Sequence, residues 1–294
     1  MKHQAALKWL VPMIGVLALV SAAAGLFYST PGEPYAYTNQ RGENVIIHGS
    51  GLYFYDTVST TAQMQGNDLI TLVVGLPLLA VAAWLAFRGA LRGQLLLTGT
   101  LGFFLYTYMS MSMLTAYNAF FLVYVALFSL SLAAFILSLT AIDVAALPKH
   151  IAPGLPHGWI AALLFVIGGF LSLAWLGKIV PPLLQGGTPP LENTTTLVIQ
   201  TMDLGLLVPL AVLSGLLLLR RQPWGYLLAA VFVLKAITMG LAVSTMALNM
   251  ARVGVPDSAA IMVPFLVITA LNLLAAVALL RSITDQPAPR ARAA

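Results

Sequence analysis

Eight times along this chain of 294 residues, a long apolar run is bounded by turn formers and charges. The runs cover 9–29, 68–88, 94–116, 119–142, 158–180, 196–219, 224–250 and 258–281. At about 1.5 Å per residue, each matches the roughly 30 Å hydrocarbon core of a bilayer. The runs are continuous and do not alternate, which argues against membrane strands. Breakers such as "RGALRGQ", "LPKHIAPGLPHG" and "RRQP" separate them. Only 8% of the chain is charged, 60% is hydrophobic, and mean hydropathy is +0.93. Too few polar residues remain to cover a water-facing surface. The expected fold is therefore all-α: one polytopic transmembrane helical bundle of eight helices over 1–294.

Lysine and arginine set the expected orientation. Lys2, Lys8, Arg88, Arg92, Lys149, Arg220, Arg221, Arg281, Arg290 and Arg292 fall on one side, while Arg41 and Arg252 fall on the other. This places both termini in the cytoplasm, as an even number of spans requires. "MKHQAALK" followed by an apolar stretch and "SAAAG" has the elements of a secretory signal. Its apolar stretch is longer than a usual signal core, so an uncleaved first helix is the expectation. Cleavage would leave seven helices. Residues 30–67 form the longest external loop, and "ENVIIHGSGLYFYD" reads as a β-hairpin turning at "GSG". That pairing would set Tyr53 and Tyr55 on one face and Leu52 and Phe54 on the other. Asn67 or Asp68 then reads as the cap of the second helix. The tail 284–294 reads as a disordered cytoplasmic extension.

The most unusual position is Lys235, in "AAVFVLKAITMGLAV". It lies eleven residues beyond Trp224, about 16 Å deep and too far in to snorkel. Lys235, Thr238, Ala242, Thr245 and Asn249 share one helix face. The expected partner is Asp203, which shares a face with Gln200 on the preceding helix, directly or through water. Lys178 is the rival partner for that carboxylate. Tyr106, Ser110 and Tyr117 lie near one face of the third helix, and Thr269 and Asn272 on the eighth. Together these predict an outward-facing polar pocket lined by Asp203, Lys235, Gln200, Thr238, Thr245, Asn249, Lys178 and Tyr106.

Other chemistry is poorly supported. The absence of cysteine removes disulfides and thiolate sites. The histidines, His3, His48, His150 and His157, lie outside the spans, against membrane haem or imidazole metal centres. No HExxH, GxSxG or Walker A pattern occurs. In "MSMSM", Met109 and Met113 share a face and Met111 points away, which suits packing better than copper. The net charge of +5 is scattered over short loops and makes no nucleic-acid footprint. No catalytic residue, metal or cofactor is expected. The partners expected are the lipid bilayer and a small-molecule or ion ligand. Nothing sets an oligomeric state. Internal echoes such as "LGFFL" at 101–105 and "GGFLSL" at 168–173 are too weak to define a repeat.

Three stretches, "GLYFYDTVSTTAQMQGNDLITL", "YNAFFLVYVALFSLSL" and "TMDLGLLVPLAVLSGLLLLRRQPWGYLLAA", resemble a group of bacterial multi-pass membrane proteins with no established activity. The resemblance implies a bacterial cytoplasmic membrane and no mechanism. Three functions stay open: transport or small-ligand binding at the Asp203/Lys235 pocket, an accessory protein whose buried charges only lock helices, and an enzyme at the outer leaflet.

Overall fold

The computed structural model describes residues 1–284; apart from Thr284, the tail expected to be disordered lies outside them. Eight long helices occur among these residues: α1 (Gln4–Phe27), α2 (Val58–Phe87), α3 (Leu91–Leu114), α4 (Phe121–Ala141), α5 (His157–Leu184), α6 (Val198–Leu219), α7 (Pro223–Arg252) and α8 (Ser258–Ser282). Seven of them are long and apolar enough to cross a membrane, so this is a multi-pass membrane protein. The eighth, α3, is as long as α1 but carries Thr98, Thr100, Tyr106, Thr107, Tyr108 and Ser110, all buried. It can be less apolar because protein, not lipid, surrounds much of it. The other internal helix is α7: 67% of its membrane-crossing stretch is buried, against 28–39% for the other six.

Glycine lets α7 approach its neighbours. A Cβ on Gly66 of α2 would lie 2.7 Å from the Met246 backbone nitrogen, and one on Gly99 of α3 would lie 2.5 Å from Leu234 Cβ. Close backbone approach at small residues is how membrane helices gain packing energy when burial from water contributes little. Two apolar cores flank α7. One gathers Leu7, Val11 and Ile14 of α1 with Phe103, Phe104 and Leu127. The other gathers Ile160 and Leu164 of α5 with Leu227, Val233 and Ala275.

The hairpins α2–α3 and α6–α7 repeat one another at a constant spacing of 132 residues. Each first helix contains a single π-turn, Thr71–Gly75 in α2 and Asp203–Leu207 in α6. Each π-turn is followed two residues later by proline, Pro77 and Pro209. Each helix then ends in the same cap. Gly89 (φ 87°) and Arg221 (φ 51°) are left-handed. Their amides reach Ala86 and Leu218, while those of Ala90 and Gln222 reach Leu85 and Leu217. This double bond closes a helix C-terminus through a left-handed residue. Each second helix then passes at a glycine: a Cβ on Gly93 would strike Leu85 and Ala86, and one on Gly225 would strike Leu217 and Leu218. With α1 and α4 flanking the first hairpin and α5 and α8 the second, the bundle is two four-helix halves.

The halves differ in two ways that shape the interior. In the first, α1 packs against α4 and the half is closed. In the second, α5 and α8 barely meet, through contacts such as the edge-on pair Phe170 and Phe265 at 5.7 Å. In addition, α2 begins at Val58, whereas α6 begins only at Val198, two turns later in the repeat.

Several expectations need correction. Helix α2 starts ten residues before the apolar run, because Thr57 caps it by accepting the Thr60 amide at 3.1 Å. Its first turns, "VSTTAQMQGN", are polar but face protein, so hydropathy reads them as loop. Asp68 is consequently not a cap; it is deep in the helix and 1% exposed. The hairpin pairs β1 (Tyr35–Thr38) with β2 (Asn44–Ile47), turning at Asn39–Glu43 rather than at "GSG". Residues 52–55 form a turn, so Leu52 and Tyr53 are both buried while Tyr55 is exposed. Tyr117 lies beyond the end of α3 and is exposed.

Candidate functional site

A cavity of about 240 Å³ lies among α2, α3, α5, α6, α7 and α8, between the two halves of the bundle. Its wall is mainly apolar and soft. Met64, Met111, Met239, Met246 and Met250 line it with Phe170, Phe232 and Phe265. Methionine fills irregular space and adapts to varied shapes. The polar groups on the wall include Gln63, Asn67, Tyr106, Ser110, Asp203 and Lys235.

Asp203 sits at the first position of the α6 π-turn. π-turns of this kind are frequent at functional sites, because the extra residue re-aims side chains. Here the carboxylate accepts two hydrogen bonds, from the Tyr106 hydroxyl at 2.6 Å and the Trp175 indole at 2.8 Å. It therefore ties α6 to α3 and to α5. Charge-assisted bonds of this length are the strong class.

Lys235 and Asp203 do not form an ion pair. Among the described residues the one ion pair is Arg41–Glu43, at 3.1 Å in the hairpin turn. The Lys235 ammonium instead lies 3.9 Å from the centre of the Tyr106 ring. Tyr106 thus stands between the two charges, giving its π-face to the cation and its hydroxyl to the carboxylate. Cation–π contact is worth most where water is excluded. The donor hydrogens of Lys235 have no acceptor among the described residues, and the residue lines the cavity.

The structure places the predicted residues unevenly. Asp203, Lys235 and Tyr106 share the cavity wall. Gln200 and Thr238 are buried off that wall, and the Thr238 hydroxyl has no partner among the described residues. Thr245 returns its hydroxyl to Leu241 O on its own helix, and Asn249 reaches Ala62 O on α2 at 3.4 Å. Lys178 is half-buried near the end of α5 and makes no ion pair with Asp203. Sequence reasoning missed Trp175 and the methionine wall. Neither carries a charge signal, and each acquires its role only when distant helices converge.

The end of the bundle that carries the hairpin is capped. Asn39 donates to Glu192 O at 2.7 Å, and Arg41 donates to Glu192 O and Thr194 O at 2.6 and 3.0 Å. The Thr57 hydroxyl bonds the Glu192 carboxylate, and Asn193 donates to Tyr55 O at 3.0 Å. The loop after α1 is thus fastened to the loop after α5, so the cap bridges the two halves. No protein-family model, no characterised protein and no solved structure matches this chain.

Proposed function

We propose that the protein binds, and carries across the membrane, a small amphiphilic molecule whose apolar body fills the methionine-lined cavity and whose anionic head meets Lys235. The observation that carries this reading is a buried ammonium with unused donors on the wall of an apolar cavity. A buried ammonium whose donors are unmatched is costly, and an anionic ligand would accept from them. The volume is larger than the roughly 150 Å³ cavity that accommodates benzene, which suits a ligand of about that size or somewhat larger. Ligand pockets commonly combine an apolar lining with a few placed polar groups.

In this reading all eight helices span a bacterial cytoplasmic membrane with both termini inside. The bias of lysine and arginine toward the end opposite the hairpin supports that orientation. Two four-helix halves, each with an even number of spans, would make a parallel repeat related by an axis along the membrane normal, a plan found in transporters. An accessory role draws on a different observation, the three-helix clamp at Asp203. An outer-leaflet enzyme is less supported, because Asp56 and Asp68 are buried rather than set around a cleft.

The test is thermal stability of the purified protein against a panel of small aromatic and branched-chain carboxylates, with native mass spectrometry for a co-purified molecule. The reading expects at least one carboxylate to stabilise the wild type and to lose its effect in Lys235→Met. No stabilisation by any member, with no co-purified mass, would favour the accessory role.

A further inference from the structure

The closed half of the bundle holds a second buried carboxylate with a surround of its own. Asp68, on α2, is 1% exposed. Its Oδ2 accepts the Tyr53 hydroxyl at 2.6 Å, while its Oδ1 has no partner among the described residues. Gly25 of α1 makes room for it: a Cβ there would collide with Oδ2 and lie 2.7 Å from the Tyr53 hydroxyl. The titratable groups facing Asp68 are Tyr53 from the α1–α2 loop, Tyr108 from α3 and Tyr124 from α4. From α1 the facing polar group is Ser21, beside Tyr108. Among the described residues the hydroxyls of Ser21, Tyr108 and Tyr124 are buried with no hydrogen bond of good geometry, although Ser21 stands near enough to Tyr108, and Asn118 and Tyr53 to Tyr124, to interact. No lysine or arginine pairs with Asp68 among the described residues.

A polar cavity of about 140 Å³ leads toward this group from the hairpin end. Exposed Tyr28 and Ser29 stand on its wall with His48, Ser50 and Gln65, and Gly25 and Tyr53 also line it. Both of those residues touch the Asp68 carboxyl. Tyr53 therefore lies between space continuous with the surface and a carboxylate with no counter-ion.

We propose that Asp68 is a proton-binding site served from the hairpin end through the Tyr53 hydroxyl. An isolated buried carboxylate is too costly to stand uncompensated, and a bound cation neutralises it. The geometry selects the proton. A metal ion would need several oxygens converging on one point, yet Oδ2 is already occupied by the Tyr53 hydrogen and crowded by the α1 backbone. A proton needs only the existing bond. A hydronium ion in the cavity gives a proton to the phenol oxygen, leaving water, as the phenol's own proton passes to Oδ2. Tyr53 ends as it began, and one proton has moved from hydronium to carboxylate. This site does not depend on the larger cavity holding any ligand.

Infrared difference spectroscopy of the protein in lipid nanodiscs, stepped in pH, tests the proposal. The carbonyl stretch of a protonated carboxyl is read in Asp56→Asn, which removes the other buried carboxyl that holds a proton up to about pH 7. It is expected there and is expected to be lost in Asp56→Asn/Asp68→Asn, and the remaining variants are made in the same Asp56→Asn background. Tyr53→Phe should keep the band and slow its shift on transfer to deuterated water by about a hundredfold, the scale of a lost proton relay. Because Asp68→Asn could fail to fold, the Tyr53→Phe exchange rate is an independent arm. A band that survives in the folded Asp56→Asn/Asp68→Asn variant would overturn the proposal, as would an unchanged exchange rate in Tyr53→Phe. Loss of the Asp56→Asn band on adding sodium at fixed pH would also overturn it, in favour of a metal ion.

Discussion

Tyr106 holds Lys235 and Asp203 in one arrangement without letting them touch: the ammonium lies 3.9 Å from the ring centre and the hydroxyl bonds the carboxylate at 2.6 Å. The two interactions use different parts of one side chain and can be separated. Tyr106→Phe should cost about 1.5–3 kcal/mol, the value of a hydrogen bond to a charged group, while keeping the cation contact. Tyr106→Leu should cost more by roughly 1–2 kcal/mol. Unfolding of the purified variants measures both. Equal losses would mean the ring face contributes nothing.

The same geometry sets a coupling pattern. In double-mutant cycles, Lys235→Met and Tyr106→Leu should couple by about 1 kcal/mol or more. Lys235→Met and Asp203→Asn should couple more weakly, because no direct contact joins them. A stronger Lys235–Asp203 coupling would restore the simple ion pair that the sequence suggests.

Gly93 and Gly225 occupy matching places in the two hairpins, and a Cβ at either would run into the preceding helix's backbone. Gly93→Ala and Gly225→Ala should each destabilise by about 1–3 kcal/mol, as overpacking does. Gly89→Ala should cost less, since its added Cβ meets nothing and only the left-handed backbone is strained. Thermal unfolding in detergent checks the ranking. A neutral Gly225→Ala beside a damaging Gly93→Ala would mean that the halves do not share their packing.

Asp56, outside the spans, has a carboxyl that burial pushes up to about 7, opposed in part by a bond from the Ala116 amide. An unfolded aspartate titrates near 3.9. Between those values the folded chain binds more protons than the unfolded chain. The contribution is therefore fully present below about pH 4 and is lost as pH rises through about 7. The loss is on the order of a few kcal/mol. Thermal midpoints measured from pH 4 to 8 should fall, and the Asp56→Asn profile should be shallower. A steeper profile in the variant would reverse the assignment.

The polar first turns of α2 mark where sequence reasoning stopped. Hydropathy finds a helix when lipid faces it, so the apolar runs were legible. "VSTTAQMQGND" is helical because its polar side chains face α7 and the cap, and no local signal reports that. The repeat was hidden for a related reason. The two hairpins share little beyond a proline, a loop arginine and a glycine, whose common role is fixed by backbone caps and crossing points. At the candidate site, the charges of Asp203 and Lys235 stood out against an apolar background. Their separation by Tyr106, and the part played by Trp175, did not.

Read alone, the chain determined that its backbone must bond to itself in helices, because apolar runs of membrane length leave no other way to satisfy buried amides and carbonyls. It also determined that the few polar groups within those runs must face protein. Tertiary structure decided which group met which. Closing α1 against α4 buried Asp68 among tyrosines, and the wider separation of α5 from α8 left a cavity beside Lys235. The difference lies in range: helix formation follows from bonds four residues apart, whereas a cavity is what remains after six helices have packed.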